Sequence, residues 1–411
     1  SAGKGLLPAY RRAPHPDDVG ARPYRGGMRL LHTSDWHVGR TFHGADTVDA
    51  LRTVLEELAA TVRRERIDVV LVAGDVYDSA MPAGRHVEAL TRALQSIRDA
   101  GAQVVLSSGN HDSPARLGAN AGFARAGGLH LSTTALDPES WRIELDDEHG
   151  PVHVFAVPYL EPVVLRAALP ESGIRTQADA MRWAMDAIRA DLARRPARAV
   201  VLAHCFAAGV AADDDDAPRE IRAGGLDVVP IAMFDGVDYA ALGHIHSRQA
   251  LSEAVRYSGA PLHYSFRERS PERGGWLVEL GAGGLDGVSW IGLPVPRPLT
   301  QVRGELDSLL ADPAHDGSED HWVRAVLTDP AMPLDAMRRL QQRWPHCAQV
   351  EWAGAAGGAD AAGVRERLQR RSDAEVVEGF LEHVRGEGPT DAERALVADG
   401  LARVAAAEAA R

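Results

Sequence analysis

From Met28 onward the chain repeats one pattern: a short β-branched or aliphatic run closes on a cluster of Asp, His, Asn and Gly, and a helix-like or loop segment follows. The runs are Arg29–Thr33, Ile67–Ala73, Gln103–Ser107, Ala199–Ala203 and Tyr239–Leu242. Between them, Asp46–Arg66, Ala83–Ala100 and Thr176–Arg195 place apolar residues at helical spacing, as in Val48, Leu51, Val54, Leu55 and Leu58. This βαβ-type alternation predicts an α/β fold, in which the loops beyond the carboxyl ends of the strands carry the site. All the polar clusters fall at those ends.

After about residue 247 the pattern shifts to turn-rich strand candidates, Ala254–Ser258, Gly275–Leu280 and Val288–Pro294, and then to a Pro-punctuated stretch, Pro294–Pro298, which marks a boundary. Residues 299–352 read as strand, loop, strand (Trp322–Leu327), helix (Leu334–Arg343) and strand (Gln349–Trp352), a small α+β module. A Gly/Ala-rich linker, Ala353–Gly363, leads to two helical patterns, Asp373–Val384 and Thr390–Ala407, the second opened by Thr390 and Glu393 as a capping box. The expected division is therefore 1–27, 28–293, 299–352 and 364–411. Residues 1–27 hold no apolar stretch of the signal-peptide kind and read as a flexible leader, or as sequence from an expression vector or an alternative start.

Composition narrows the class. A length of 411 residues suggests about two to three domains, and 45% hydrophobic with 25% charged residues is ordinary globular usage. The two cysteines, Cys205 and Cys347, are far apart, which argues against a disulfide scaffold or a CxxC zinc site and for buried, reduced thiols. The longest apolar run, Ala199–Ala212, spans about 14 residues and is broken by His204, short of the roughly 20 that cross a bilayer. No membrane partner is expected, and the expected compartment is the cytoplasm. A net charge of −13 provides no global attraction for a polyanion, so a nucleic acid would have to be held by local charge, metal or a partner.

Five clusters offer chemistry: Asp35-Trp-His37, Gly74-Asp75-Val-Tyr-Asp78, Gly109-Asn110-His111-Asp112, the single His204, and Gly243-His244-Ile-His246. Alternation in an extended segment would put Asp35 and His37 on one side, able to meet one ion, and point Trp36 away into the core. Carboxylate, amide and imidazole donors without a thiolate suit Mn, Fe or Zn. The glycines before Asp75, Asn110 and His244 relieve crowding where the backbone turns to aim each ligand. Taken singly, each signal has a plainer reading: a D-x-H spacing arises often, and a lone histidine on an apolar strand is usually a satisfied core residue. His32, His43 and His86 are read as structural or surface groups. The runs Arg267–Arg273 and Arg365–Arg371, interleaved with Glu, are read as solvated faces rather than phosphate or partner contacts, and Asp213–Asp216 as a solvated loop. What raises the clusters above chance is that all five occur in order, each directly after an apolar strand.

In that order they resemble the motif series D-x-H, GDxxD, GNHD, H and GHxH of the calcineurin-like metallophosphoesterase superfamily, over roughly Met28–Ser270. Within it, HTSDWHVGR at 32–40, AGDVYD, GNHDSPARL at 109–117, GHIHSRQ, YSGAPLHYSF at 257–266 and FLEHVRGEGPTDAERAL in the tail are similar to the SbcD family of bacterial nuclease subunits. The resemblance implies a four-layer β-sandwich flanked by helices, with an α+β capping domain and C-terminal helices. It implies Asp35, His37, Asp75 and His246 as ligands of one metal ion, and Asp75, Asn110, His204 and His244 as ligands of another. Asp75 would bridge them, as two ions about 3.5–4 Å apart require. The ions implied are two divalent cations, Mn2+ expected and Mg2+ the alternative.

His111 is implied as the general acid that protonates the leaving alkoxide, or as a group that stabilises the transition state. Asp112 is then either the group that orients its imidazole or a helix-capping or loop-turn residue. Where the archaeal and eukaryotic branch places a second histidine three residues after the bridging Asp, this chain has Asp78. The activity implied is a DNA exonuclease and endonuclease in repair and recombination. Its implied partner is the SMC-like ATPase SbcC, within a heterotetramer built on a homodimer, at the nucleoid. No GxxxxGK[ST] loop is present, so ATP binding is expected from the partner. The competing readings are a phosphomonoesterase or cyclic-nucleotide phosphodiesterase on the same metals, and a repair scaffold with an inactive site.

Overall fold

Val, Leu and Ala fill the central strands so densely that both faces are apolar. The strand Val69–Ala73 is buried at every position and Arg198–His204 at all but its first, as strands covered on two sides must be. The computed structural model describes residues 26–207, 228–268, 270–353 and 374–409 apart from 376, 380, 382–385 and 387. Most of the 1–27 leader, the Asp213–Asp216 run, the Arg365–Arg371 run, the 353–363 linker after its first residue, and Val376, Phe380 and Val384 of the first tail pattern lie outside the described residues.

The strands form two six-stranded sheets. In the first, Met28–Thr33, Val69–Ala73, Gln103–Ser107 and Leu129–Ser132 run parallel, and Arg273–Gly281 and Gly284–Leu293 extend it beside Met28–Thr33 in antiparallel steps. In the second, Val255–Tyr257, Tyr239–Gly243, Arg198–His204 and Gly150–Ala156 run parallel, with antiparallel edge strands Gln249–Ala250 and Arg142–Asp147. The α/β expectation holds, with mixed rather than purely parallel sheets.

Side-chain alternation builds the layers. Leu30 and Leu71 join Val154, Val200, Leu202 and Ala241 between the sheets, while Leu31, Val70 and Val72 turn outward onto the helices Val48–Glu65 and Gly84–Asp99. The first of these helices buries Leu51, Val54, Leu55, Leu58 and Val62, the stripe its periodicity predicts. On the far face, Gln177–Arg194 packs Met181, Met185 and Ile188 against the second sheet. It opens on a capping box, the Thr176 hydroxyl accepting from Asp179 N–H and the Asp179 carboxylate from Thr176 N–H, each at 3.1 Å. The result is a four-layer α/β/β/α sandwich. The hairpin Arg142–Asp147 and Gly150–Ala156 and the short helix Leu306–Ala311 are elements the periodicity reading left unassigned.

Beyond Pro294–Pro298, the parallel strands Leu299–Gly304, Trp322–Leu327 and Cys347–Trp352 carry the helices Leu306–Ala311 and Ala336–Arg343 around a core of their own, including Val302, Val323, Leu340 and Trp344. This module touches the sandwich through aromatic rings. Trp322 stacks on Phe42 at 4.6 Å and 21°, Phe266 meets Phe42 edge-on at 5.0 Å, and the Arg297 guanidinium covers Trp322 at 4.7 Å. Phe42 lies five residues beyond His37, so the module is seated on the loop that carries the first site cluster. Helix Asp391–Ala409 is capped as its sequence predicts, Thr390 N–H donating to Glu393 Oε2 at 2.9 Å. Among the described residues no helix is long and apolar enough to cross a membrane.

Because the stack joins two separate cores, Phe42→Ala should loosen the seat and leave both cores intact. Losing a buried phenylalanine ring costs about 3–5 kcal/mol. Faster proteolysis at 294–298, with the sandwich's own thermal transition nearly unmoved, is the expected result, and wild-type proteolysis would show that the stack holds nothing.

Candidate metal centre

Every cluster residue stands at the carboxyl end of a parallel strand, and the strands come from both sheets. Asp35 and His37 follow Met28–Thr33, Asp75 follows Val69–Ala73, and Asn110 and His111 follow Gln103–Ser107 in the first sheet. His204 ends Arg198–His204, and His244 and His246 follow Tyr239–Gly243 in the second. The two sets of strand ends converge on Asp75, whose Oδ2 lies 3.5 Å from His37 Nε2 and 3.4 Å from His204 Nε2. His37 Nε2 faces His246 Nε2 at 3.1 Å. His204 Nε2 faces Asn110 Oδ1 at 3.0 Å and His244 Nδ1 at 3.3 Å. Asp35 accepts the His244 backbone N–H at 3.0 Å, and the His111 backbone N–H donates to Asp75 Oδ1 at 3.0 Å.

The backbone is bent to achieve this. Asp35 (φ 53°), His37 (φ 43°), Asp75 (φ 49°) and His244 (φ 101°) all lie in the left-handed region, which side chains with a Cβ seldom adopt. Asp35 and His37 therefore meet through two left-handed residues and not through strand alternation, which corrects the sequence expectation. Trp36 between them is fully buried, as expected, with Nε1–H donating to Thr33 Oγ1 at 3.0 Å. Of the glycines, Gly74 is itself left-handed (φ 78°), whereas Gly109 is needed for close approach, since a Cβ there would stand 2.1 Å from Asp75 Oδ1.

Electrostatically, the centre is a set of buried groups in tension. Burial alone would raise Asp75, but His204, His37 and His111 around it hold its carboxyl well below the usual range. Burial pulls His204 down, and Asp75 more than reverses this, to about 9. Burial dominates at His37, lowered to about 4, and at His244, lowered to about 3. Two carboxylates, one amide and four imidazoles thus converge on one point. Mixed oxygen and nitrogen donors in this arrangement fit divalent first-row cations. Asp35, His37 and His246 bring ligand atoms within 4.8 Å of one another, as do Asp35, Asp75 and His204, and His37, Asp78 and His111.

The remaining candidates sort by what they touch. His111 is the more open ring, its Nδ1 3.0 Å from the Asp78 carbonyl and its Nε2 4.0 Å from Asp75 Oδ2. The Asp112 carboxylate accepts three backbone N–H groups, from Val76 (3.0 Å), Tyr77 (2.9 Å) and Gly109 (2.9 Å), so it ties the Asp75 loop to the Asn110 loop, the second of its two sequence readings. Burial pushes it up to about 6. Asp78 Oδ1 stands 3.3 Å from both His37 Nδ1 and Arg40. His32 is structural, bridging the sheets from Nδ1 to Tyr239 Oη (2.9 Å) and from Nε2 to the Leu242 carbonyl (3.1 Å).

One sequence reading is overturned. Within Arg267–Arg273, Glu268 and Arg273 are not on a solvated face but buried, 2.7 Å apart, behind His246. The charge alternation of that run hid a pair that burial requires to be matched.

Comparison with known proteins follows the same lines. A family model described as calcineurin-like phosphoesterase matches residues 28–248, and one described as type 5 capsule protein repressor C-terminal domain matches 295–385. The chain is 30% identical over 334 residues to the SbcD subunit of nuclease SbcCD from Escherichia coli (strain K12), covering 76% of this chain and 81% of that one. It is 34% identical over 297 residues to the SbcD subunit of nuclease SbcCD from Rhodobacter capsulatus, covering 67% and 71%. The crystal structure of TT1561 of Thermus thermophilus overlaps at a TM-score of 0.37 with 13% identity, covering 64% of this chain and 99% of that one, a likeness too distant to bear on the site.

If Asp112 is the tie between loops, Asp112→Ala strands three buried N–H groups, each worth about 1–3 kcal/mol when left unmet. Chemical denaturation should show a loss of at least about 3 kcal/mol, with Asp112→Asn intermediate. A loss under about 1 kcal/mol would show that the loops do not depend on it.

Proposed function

The chain belongs to the SbcD family of calcineurin-like phosphoesterases, and from that premise we propose that it is a metal-dependent DNA nuclease that works as the nuclease subunit beside an SbcC-type ATPase. The observation that carries the reading is the Asp75 carboxylate, reached by imidazoles of both sheets at 3.5 and 3.4 Å. In our assignment Asp35, His37, Asp75 and His246 hold one divalent ion and Asp75, Asn110, His204 and His244 the other, with Asp75 shared. Mn2+ is the ion we assign and Mg2+ the substitute. Two divalent ions held there supply Lewis acidity toward a phosphodiester and water near neutral pH.

The protein's own contribution falls to His111. Its Nδ1–H donates to the Asp78 carbonyl, which leaves Nε2 as the atom facing the gap beside Asp75; in the imidazolium form Nε2–H passes its proton to the leaving alkoxide, and the ring is left neutral with Nδ1–H still on the carbonyl. The phosphodiester bond breaks to a hydroxyl and a phosphate, and no covalent intermediate on the enzyme is needed. Asp112 acts by fixing the loop on which His111 sits.

The module at 299–352, seated on Phe42, is assigned the role of a cap that shapes DNA access. The tail at 364–411 is assigned the docking segment for the ATPase. A homodimer through the sandwich is assigned on the family resemblance alone. DNA ends and hairpins are the substrates this architecture favours over small monoesters.

Purified protein with Mn2+ should degrade an end-labelled duplex and a hairpin, and His111→Ala should cut that rate by about 100-fold or more with both ions still bound. Elemental analysis of Asp75→Ala should find neither ion, and two bound ions would remove Asp75 as the bridge. Turnover of nitrophenyl phosphate monoester with no DNA cleavage would keep the centre and overturn the substrate. For the tail, deletion of 373–411 should abolish capture of the ATPase and spare basal cleavage; undiminished capture would place docking elsewhere.

A further inference from the structure

Behind His246 the chain buries an ion pair that the donor set of the centre does not include. His246 Nδ1–H donates to Glu268 Oε1 at 3.1 Å, and Glu268 Oε2 accepts from Arg273 at 2.7 Å. Both residues of the pair are only 2% exposed. The same guanidinium donates to the His246 carbonyl at 2.6 Å, so Arg273 grips both Glu268 and the backbone of the residue that Glu268 serves. The circuit is closed: ring, carboxylate, guanidinium, carbonyl of the same histidine. Desolvating two charges costs several kcal/mol per ion, and an apolar pair of similar volume would support a sheet edge at least as well. What an apolar pair would not do is hold the imidazole plane and commit its Nδ1 as the protonated nitrogen. With that proton committed, the Nε2 lone pair points into the centre, where His37 Nε2 stands 3.1 Å away.

The two halves of the centre differ in this respect. His37 also has a carboxylate behind it, Asp78 Oδ1 at 3.3 Å from Nδ1. Across Asp75, His204 Nδ1–H goes to a neutral acceptor, the Ala73 carbonyl at 3.0 Å, and His244 Nδ1 faces the His204 ring at 3.3 Å. A charged acceptor behind an imidazole raises its donor strength more than a carbonyl does. We propose that Glu268, locked by Arg273, is a positioning residue that makes the Asp35–His37–His246 half the tighter ion site, so that the two sites fill in a fixed order. This rests on the reading of His246 as a ligand.

The test is calorimetric titration of the full-length, metal-free chain with Mn2+ alone, alongside the paramagnetic resonance spectrum of bound Mn2+. Wild type should show two separable binding steps. E268Q keeps the shape and an acceptor but removes the charge, and it should weaken the first step by about 10-fold while leaving the second unchanged. The metal-free melting temperature reports whether any effect is merely structural. Both steps unchanged in E268Q, or both weakened together with a lower metal-free melting temperature, would overturn the proposal. Should E268Q fail to fold, R273K keeps Glu268 paired but loses the fork that also grips the His246 carbonyl. It should weaken the same step alone by a few-fold, and equal effects on both steps would overturn the proposal in the same way. H246A separates the premises: if it binds two Mn2+ ions with wild-type affinities, the ligand reading itself has failed and not the role of Glu268.

Discussion

One buried carboxylate governs the architecture. Asp75 is 2% exposed, and the imidazoles around it hold its carboxyl well below the usual range against the pull of burial, which an isolated carboxylate in an apolar interior would not sustain. It is stable only because two sheets deliver imidazoles to it from opposite sides, His37 from one and His204 from the other. This requires the strand ends of both sheets to converge on one point. The convergence in turn needs Gly109 to leave room for the Asp75 side chain, and left-handed backbone at Asp35, His37 and Asp75 to aim the donors. Such strain persists where the surroundings over-determine it, and here both sheets and the Asp112 tie do so. The sandwich is in this sense a frame that holds several mutually unfavourable local choices in one place.

How much of this is legible in the sequence depends on the range of the interaction. Strands such as Gln103–Ser107, and helices such as Gln177–Arg194 with its Thr176 cap, are visible because their signals are local: continuous aliphatic runs, a stripe at helical period, a capping pair. The cluster residues are visible because each lies directly after such a run. Asp35 and His37 are correctly paired for an incorrect reason, since a spacing of two reads as strand alternation and does not reveal left-handed dihedrals. Glu268 and Arg273 are invisible for a different reason: the burial of a charged residue is decided by what folds over it, and an Arg/Glu-interleaved run looks solvated until tertiary contacts are formed. The hairpin at 142–156 did carry a signal, with Ile143 and Leu145 buried between exposed neighbours, but its charged alternate positions obscured a short edge strand.

The aromatic seat beneath the small module ties the second core to the first. Phe42 sits on the chain segment that leaves His37, and Phe266 sits two residues before Glu268. The module therefore rests through Phe42 on the segment that leaves His37, and Phe266 packs on the same ring two residues before the carboxylate that meets His246. The small module and the His37 side of the centre thus share the chain segment that carries Phe42.

Charge adds the last constraint. The chain as a whole is acidic, and the centre gathers Asp35, Asp75, Asp78 and Glu268 against Arg40, Arg273 and the rings of His204 and His246, which neighbouring carboxylates raise against the pull of burial. Arg273 is consumed within the buried pair, and Arg40 faces Asp78 through one nitrogen. A net charge of −13 gives a polyanion no global attraction to the chain. Divalent ions held among these carboxylates would add positive charge at the point where the donors converge. For an acidic chain, any hold on a polyanion falls to local charge, metal or a partner, and the convergent donors place the metal option at the carboxyl ends of both sheets.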